Sequence, residues 1–360
     1  MKYRRIRSLT GLLALYLSLS LLLSACGSGG GQSSTSEDPY TPLFRFRIAE
    51  GTAGETLLFC LPASEGFFYL HPGEESGFVG GFVSPKRSVS AEAILNSTSP
   101  LGFATLRETG RDTASLLSGA GLSQILLKEK GETLPYPDLE GVRFENAVFF
   151  DDLSIVAETD DLLLLLPVDF AETYVLAQKA LLSDFARLLC VTGGKSRLWY
   201  ATADESGAYT GIAFFEYGKN TPLGQKKFSF DSVTLIGDHG LLFTRKGENG
   251  ETEYRYLDPE SGFERVLSVK GDFAGAVCDL AGDRLVLCRS EEKSGEILLL
   301  DFKTGEKKGT HTIAYGNPAP SLALSLDGKT LLFAVGMGSD AILATLDLDH
   351  YFSPINSKKM

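Results

Sequence analysis

The chain is poor in the residues that most often carry chemistry. Among 360 residues there are four histidines, one tryptophan and three methionines. The histidines, His71, His239, His311 and His350, are scattered, and none pairs with a cysteine at zinc-finger spacing. Positive charge is scarce as well, with 34 Lys and Arg against 46 Asp and Glu. Lys2, Arg4, Arg5 and Arg7 sit at the extreme N-terminus, and the first acidic residue is Glu37. From Cys26 onward, 30 basic residues therefore face all 46 acidic ones, a charge of −16. That balance argues against nucleic acid, whose binding needs a cationic surface to release counterions. It argues equally against electrostatic adhesion to anionic lipid.

Several familiar site patterns are missing. Gly193-Gly194-Lys195-Ser196 looks like part of a phosphate loop, but the required earlier glycine position holds Leu189. The stretch 336–340, GMGSD, is no dinucleotide fingerprint, since neither stretch leads into a helix N-terminus. No Gly-x-Ser-x-Gly nucleophile elbow occurs. The pairs Asp151-Asp152 and Asp160-Asp161 lack the spacing of a calcium loop and read as solvated turns. The single tryptophan, Trp199, falls inside a strand-like run and reads as core rather than as a sugar platform. No catalytic residue, cofactor-binding residue, cofactor or metal ligand is predicted.

What is present begins at the N-terminus. A basic head is followed by an apolar run, Leu9 to Leu23, closed by Ser24 and Ala25. This is the pattern of a secretory signal, and the run is shorter than the ~20 apolar residues of a membrane span. Leu23-Ser24-Ala25-Cys26 resembles the lipobox of bacterial lipoproteins. The resemblance implies cleavage before Cys26 and acylation of its thiol, so Cys26 is the expected lipidation site. Two or three acyl chains anchor stably where one is marginal, at ~0.8 kcal/mol per buried methylene. The Gly/Ser-rich segment that follows is a random-coil tether with a span of roughly 20 Å. The expected organisation is a signal peptide over 1–25, lipidated Cys26 and tether over 26–39, and one domain over 40–356. The expected location is the outer side of a cell membrane, with membrane lipid as one partner through Cys26.

Four cysteines remain: Cys60, Cys190, Cys278 and Cys288. Export permits disulfides, and Cys278 and Cys288 flank a predicted hairpin around Ala281-Gly282-Asp283. A three-residue loop leaves them several positions out of register, and a two-residue loop points them to opposite faces. Buried free thiols are the preferred reading.

The domain repeats itself. Segments 241–258, 285–301 and 331–347 each contain an apolar run, a Gly-containing polar turn, a second apolar run and a closing Asp. Fainter copies begin at 57, 101, 153 and 188. The intervals are mostly 44–53 residues, with one of 35, as expected for four-stranded β-propeller blades. Continuous apolar runs fit sheets covered on both faces. In SLALSLDGKTLLFAV, residues 321–335, Asp327-Gly328 supplies a tight turn between two strands. Ser325, Asp327, Gly328 and Lys329 resemble the Ser-x-Asp-Gly-Lys turn of WD40-like repeats in TolB-type propellers. The resemblance implies an all-β propeller and carries no functional residue with it. Seven blades are expected, with six or eight as alternatives. One stretch conflicts: in 172–189, Ala177, Leu181, Phe185 and Leu188 follow helical spacing. The repeat instead places an outer strand at Tyr174–Gln178 and a new strand from Arg187.

Three function classes follow. A non-enzymatic binding module on a lipid tether, holding a protein or envelope component, fits the lack of catalytic motifs. A propeller enzyme on glycans or peptides, hydrolase or lyase, would need two carboxylates and an Arg or His meeting at one mouth of the axis. A solute-binding lipoprotein of a transporter would need long helices alternating with strands.

Overall fold

A computed structural model describes residues 39–47, 59–62, 66–72, 78–84, 87–95, 100–108, 111–118, 121–126, 133–135, 142, 144–151, 154–167, 173–194, 196–237, 239–290, 294–314, 316–337 and 340–352. Cys26 and the expected signal peptide and tether, up to Asp38, lie outside these residues. Those described belong to the unit Pro39–Met360.

The described residues form seven antiparallel sheets. Strand β1 (Tyr40–Arg47) comes first. Blade 1 comprises β2 (Phe59–Pro62), β3 (Phe67–Pro72), β4 (Phe78–Ser84) and β5 (Arg87–Leu95). Blade 2 holds β6 (Pro100–Glu108), β7 (Arg111–Ser118), β8 (Gly121–Leu126) and β9 (Thr133–Pro135). Blade 3 holds β10 (Phe144–Asp151), β11 (Ser154–Thr159), β12 (Leu162–Pro167) and β13 (Tyr174–Gln178). Blade 4 holds β14 (Phe185–Thr192), β15 (Arg197–Ala203), β16 (Tyr209–Glu216) and β17 (Lys219–Phe230). Blade 5 holds β18 (Ser232–Ile236), β19 (Gly240–Lys246), β20 (Glu251–Leu257) and β21 (Glu264–Lys270). Blade 6 holds β22 (Gly275–Cys278), β23 (Arg284–Ser290), β24 (Gly295–Asp301) and β25 (Lys307–Ile313). Blade 7 has β26 (Asn317–Pro318) and β27 (Ala323–Leu324) innermost, then β28 (Thr330–Met337) and β29 (Asp340–Asp347). Its outermost strand is β1, paired antiparallel with β29 from Tyr40↔Leu346 to Arg47↔Asp340. The N-terminal strand thus closes the last blade of a seven-bladed β-propeller.

Each blade is a meander. First-to-second and third-to-fourth turns share a lower face, and the remaining connections share an upper face. Strand β29 runs from upper to lower, so Tyr40, opposite Leu346, lies at the lower face.

The core lies between blades, which accounts for the uninterrupted apolar runs. Leu188 of β14 packs with Val156 and Leu163 of blade 3, while its neighbour Leu189 packs with Leu241 and Phe243 of blade 5. Successive residues of one strand therefore bury opposite faces against different sheets. Phe67 and Tyr69 of blade 1 meet Leu332 and Leu343 of blade 7, and blades 5, 6 and 7 share one cluster around Val286 and Phe333.

The second strands begin at Phe67, Arg111, Ser154, Arg197, Gly240, Arg284 and Thr330, a spacing of 43 to 46 residues. The sequence copies starting at 153, 241, 285 and 331 mark these second strands. Those at 57, 101 and 188 mark innermost strands instead, which produces the anomalous 35-residue interval. The closing aspartates cap turns: Asp258 accepts the Glu260 N–H at 2.9 Å, Asp301 that of Thr304 at 2.8 Å, and Asp347 that of Asp349 at 2.9 Å. In the Ser325 turn, the serine hydroxyl donates to Asp327 at 2.6 Å and accepts the Thr330 N–H at 2.9 Å. Gly328 closes it at φ +67, a conformation strained for residues with a Cβ.

The stretch with helical spacing follows the repeat. Strand β13 ends in a single 3-10 turn over Lys179–Leu181, and β14 starts at Phe185, two residues before the expected position. Leu181, which a helical stripe would bury, is 52% exposed. Asp184, at φ 55, turns the chain into β14.

Cys278 pairs with Leu285, and Gly275 with Cys288, so the two cysteines point to opposite faces of blade 6. Cys190, Cys278 and Cys288 are free and buried. Burial pushes the Cys288 thiol up to about 12 and those of Cys278 and Cys190 upward too. In native protein at pH 8 these three are expected to resist iodoacetamide, and all to react in guanidinium, as read by mass spectrometry. Their contribution to stability is complete below the ordinary thiol value of 9.0 and declines as pH rises toward about 12 for Cys288.

Candidate functional site

A cavity of about 800 Å3 runs along the innermost strands of blades 3 to 7. Its middle is apolar, with Val148, Leu189, Leu235 and Ala276 on the wall. Its upper end is polar because the first residues of innermost strands and the last residues of second strands meet there. Asn146, Arg187, Ser232, Lys246, Asp272 and Ser290 line that mouth. Asp279 and Ser325 line the lower end, inside the first turns of blades 6 and 7.

The wall beside Arg187 is built around a buried ion network. Glu158 of β11 has a side chain only 2% exposed. One of its oxygens lies 2.9 Å from Lys179 Nζ, and the other accepts the Leu188 N–H at 3.0 Å. Lys179 Nζ also reaches Glu145 at 2.9 Å and the Thr159 carbonyl at 3.0 Å. Burial works to lower the Lys179 pKa, and the hydrogen bonds and charges of Glu145 and Glu158 outweigh it, leaving it raised. Asn146 Nδ2 donates to the Leu188 carbonyl at 2.7 Å. Both backbone groups of Leu188 are thereby held by side chains of blade 3. This fixes the Asn146 amide, whose Oδ1 faces Arg187 Nη2 at 3.5 Å.

The other charged groups on the wall are engaged. Lys246 Nζ lies 2.8 Å from Asp272. Asp279 accepts the backbone N–H groups of Asp283 and Arg284 at 2.7 and 3.0 Å. Burial raises the Asp279 pKa, and those two donors only partly offset it.

The sequence candidates do not converge. His71 is buried in β3, His239 sits 3.5 Å from Asp258 in a lower turn, and His311 lies 3.4 Å from the Tyr351 hydroxyl. His350 stacks edge-on against Tyr351. Among the described residues no three His, Cys, Asp or Glu side chains gather as metal ligands. Gly193 and Gly194 make the strand-to-strand turn expected of them, at φ 66 and 64. Trp199 donates Nε1–H to Thr192 at 2.7 Å and packs on Phe214, beside the core between blades 4 and 5. Asp160 and Asp161 are exposed in the turn after β11. No helix among the described residues is long and apolar enough to cross a membrane.

Arg187 and Asn146 were not visible as a pair in the sequence. Each is the third residue of an innermost strand. The repeat copy starting at 188 left Arg187 one residue outside its frame.

No protein-family model matches the chain, and no curated protein matches it. Solved structures do. The β-propeller domain of Cps50 (Swd1) from Myceliophteria thermophila aligns at TM-score 0.56 and 8% identity, over 84% of this chain and 99% of that one. The C-terminal WD40 domain of Sif2 aligns at TM-score 0.51 and 10% identity, over 86% and 99%. A puromycin-hydrolyzing peptidase of Mycobacterium tuberculosis aligns at TM-score 0.56 and 12% identity, over 84% of this chain and 55% of the peptidase. Likeness at such identities is likeness of fold, and it agrees with the seven-bladed β-propeller described above.

Proposed function

We propose that the chain is an exported lipoprotein, acylated at Cys26, whose propeller is a non-enzymatic binding module for a protein or envelope component. The lipobox-like Leu23-Ser24-Ala25-Cys26 and the Gly/Ser-rich tether support the anchor. The observation that carries the reading is where β1 begins. Tyr40 stands at the lower face, and the polar mouth of the channel opens at the upper face. The chain therefore enters the propeller at the lower face, and its point of attachment leaves the upper mouth uncovered. Among the described wall residues that mouth has one carboxylate, Asp272, already paired with Lys246. An all-β ring is also not the strand-and-helix architecture of a transporter's solute receptor.

Cross-linking of the anchored chain in its own cells, with mass spectrometry of what is captured, tests the proposal. One reproducible partner, lost together with the membrane fraction in Cys26→Ala, is the expected result. A Cys26→Ala chain still in the membrane would remove the lipid anchor from the reading. Capture of nothing above background would remove the binding module.

A further inference from the structure

We propose that the upper mouth of the channel binds a carboxylate, held by Arg187. The inference rests on the binding-module reading and names the chemistry that module recognises. Among the described residues four charged side chains line the cavity, and three are engaged: Lys246 with Asp272, and Asp279 with the backbone of its own turn. Arg187 is the exception. It is exposed on the wall, and its one described contact is with a neutral amide oxygen 3.5 Å away. In a chain of this acidity, an arginine that meets no carboxylate among the described residues stands out.

The amide beside the guanidinium is held in place. Asn146 is 6% exposed and fixed by the Leu188 carbonyl, so its oxygen steers Arg187 from a defined position. Leu188 is fixed in turn by Glu158. An Nη2 turned toward Asn146 leaves further N–H donors of the planar fork for a ligand, and that fork matches a carboxylate in two parallel bonds. Ser232 adds a hydroxyl to the same mouth, and the apolar wall below it can receive an aliphatic stem. The cavity is large enough for a dicarboxylate or an acidic side chain with neighbouring residues. The carboxylate comes either from a free small molecule or from an acidic segment of a protein partner.

Calorimetric titration of the mature chain with acetate, glutarate, citrate and an acetylated Glu-Glu-Gly peptide tests the inference, with glutaramide as the neutral control. At least one carboxylate probe is expected to bind, and glutaramide is not. Arg187→Gln should weaken binding by about 10- to 100-fold, the range of a lost charge-assisted pair, while Arg187→Lys keeps part of it. Thermal denaturation checks that both variants fold as the native chain does. Preference for glutarate or citrate assigns the site to a free metabolite, and preference for the peptide assigns it to a protein segment. No binding by any carboxylate probe, or equal binding by Arg187→Gln, overturns the inference. If Arg187→Gln still captures the cross-linked partner of the native chain, the binding module stands and the peptide source is excluded. If the native chain binds carboxylates and captures nothing, the site stands without the protein partner.

Discussion

Lys179→Met is expected to destabilise the propeller by about 3–5 kcal/mol, the cost of stranding one member of a buried ion pair. The ammonium has no spare hydrogen, since it reaches Glu158, Glu145 and the Thr159 carbonyl at 2.9, 2.9 and 3.0 Å. Without it, the Glu158 carboxylate keeps only the Leu188 N–H inside a nearly closed space. Adding Glu158→Gln to Lys179→Met removes the stranded charge, so the double variant should be more stable than Lys179→Met alone. Urea denaturation of the four chains measures the coupling. If Lys179→Met loses less than about 1 kcal/mol, as an exposed pair would, water reaches Glu158 and the network does not join blades 3 and 4. The folded pKa of Lys179 is raised from 10.5, so its share of stability is complete below that pH and is lost only as the pH climbs past it.

Gly275→Val should cost at least as much, about 4 kcal/mol or more, because the clash is with backbone. A Cβ at Gly275 would stand 2.0 Å from the Pro320 carbonyl oxygen. Blades 6 and 7 touch there through bare main chain at the wall of the channel. A side chain that flexed aside would lessen the clash, but a carbonyl held in the ring cannot move without opening the joint between blades. Even Gly275→Ala should lower the thermal midpoint. A midpoint unchanged in both variants would mean that the two innermost strands lie farther apart than the structure places them.

The fold was legible in the sequence and its phase was not. Seven run-turn-run copies count seven blades, since each blade must bury both faces of its strands. A first-to-second hairpin has the same run-turn-run form as a second-to-third hairpin, so 188–202 aligned readily with 331–345 one strand out of step. Residues 172–189 show a different ambiguity. Leu176 and Ala177 are buried together in one cluster because the pairing of β13 shifts register there, and Leu181 falls in the 3-10 turn that follows, where it is exposed. The candidate site was illegible for a third reason. Asn146 and Leu188 are 42 residues apart, and only ring geometry brings the amide to the carbonyl. Asn146 belongs to no motif, Leu188 only to a repeat copy, and Arg187 becomes notable only when the groups it fails to meet are known.

The pairing of β1 with β29 makes the first strand wait for the last. Thr41 and Thr345 come within 3.5 Å although 304 residues separate them. At about 5–20 residues per second, roughly 15–60 s pass between the making of Thr41 and of Thr345. Through that interval β1 has no β29 to pair with, and an open strand edge is the state in which strands pair with the wrong chain. Blades can form as they emerge, but the circle is a property of the finished molecule. A chain stopped before Asp340 has no partner for β1 at all, so closure acts as a built-in proof of length.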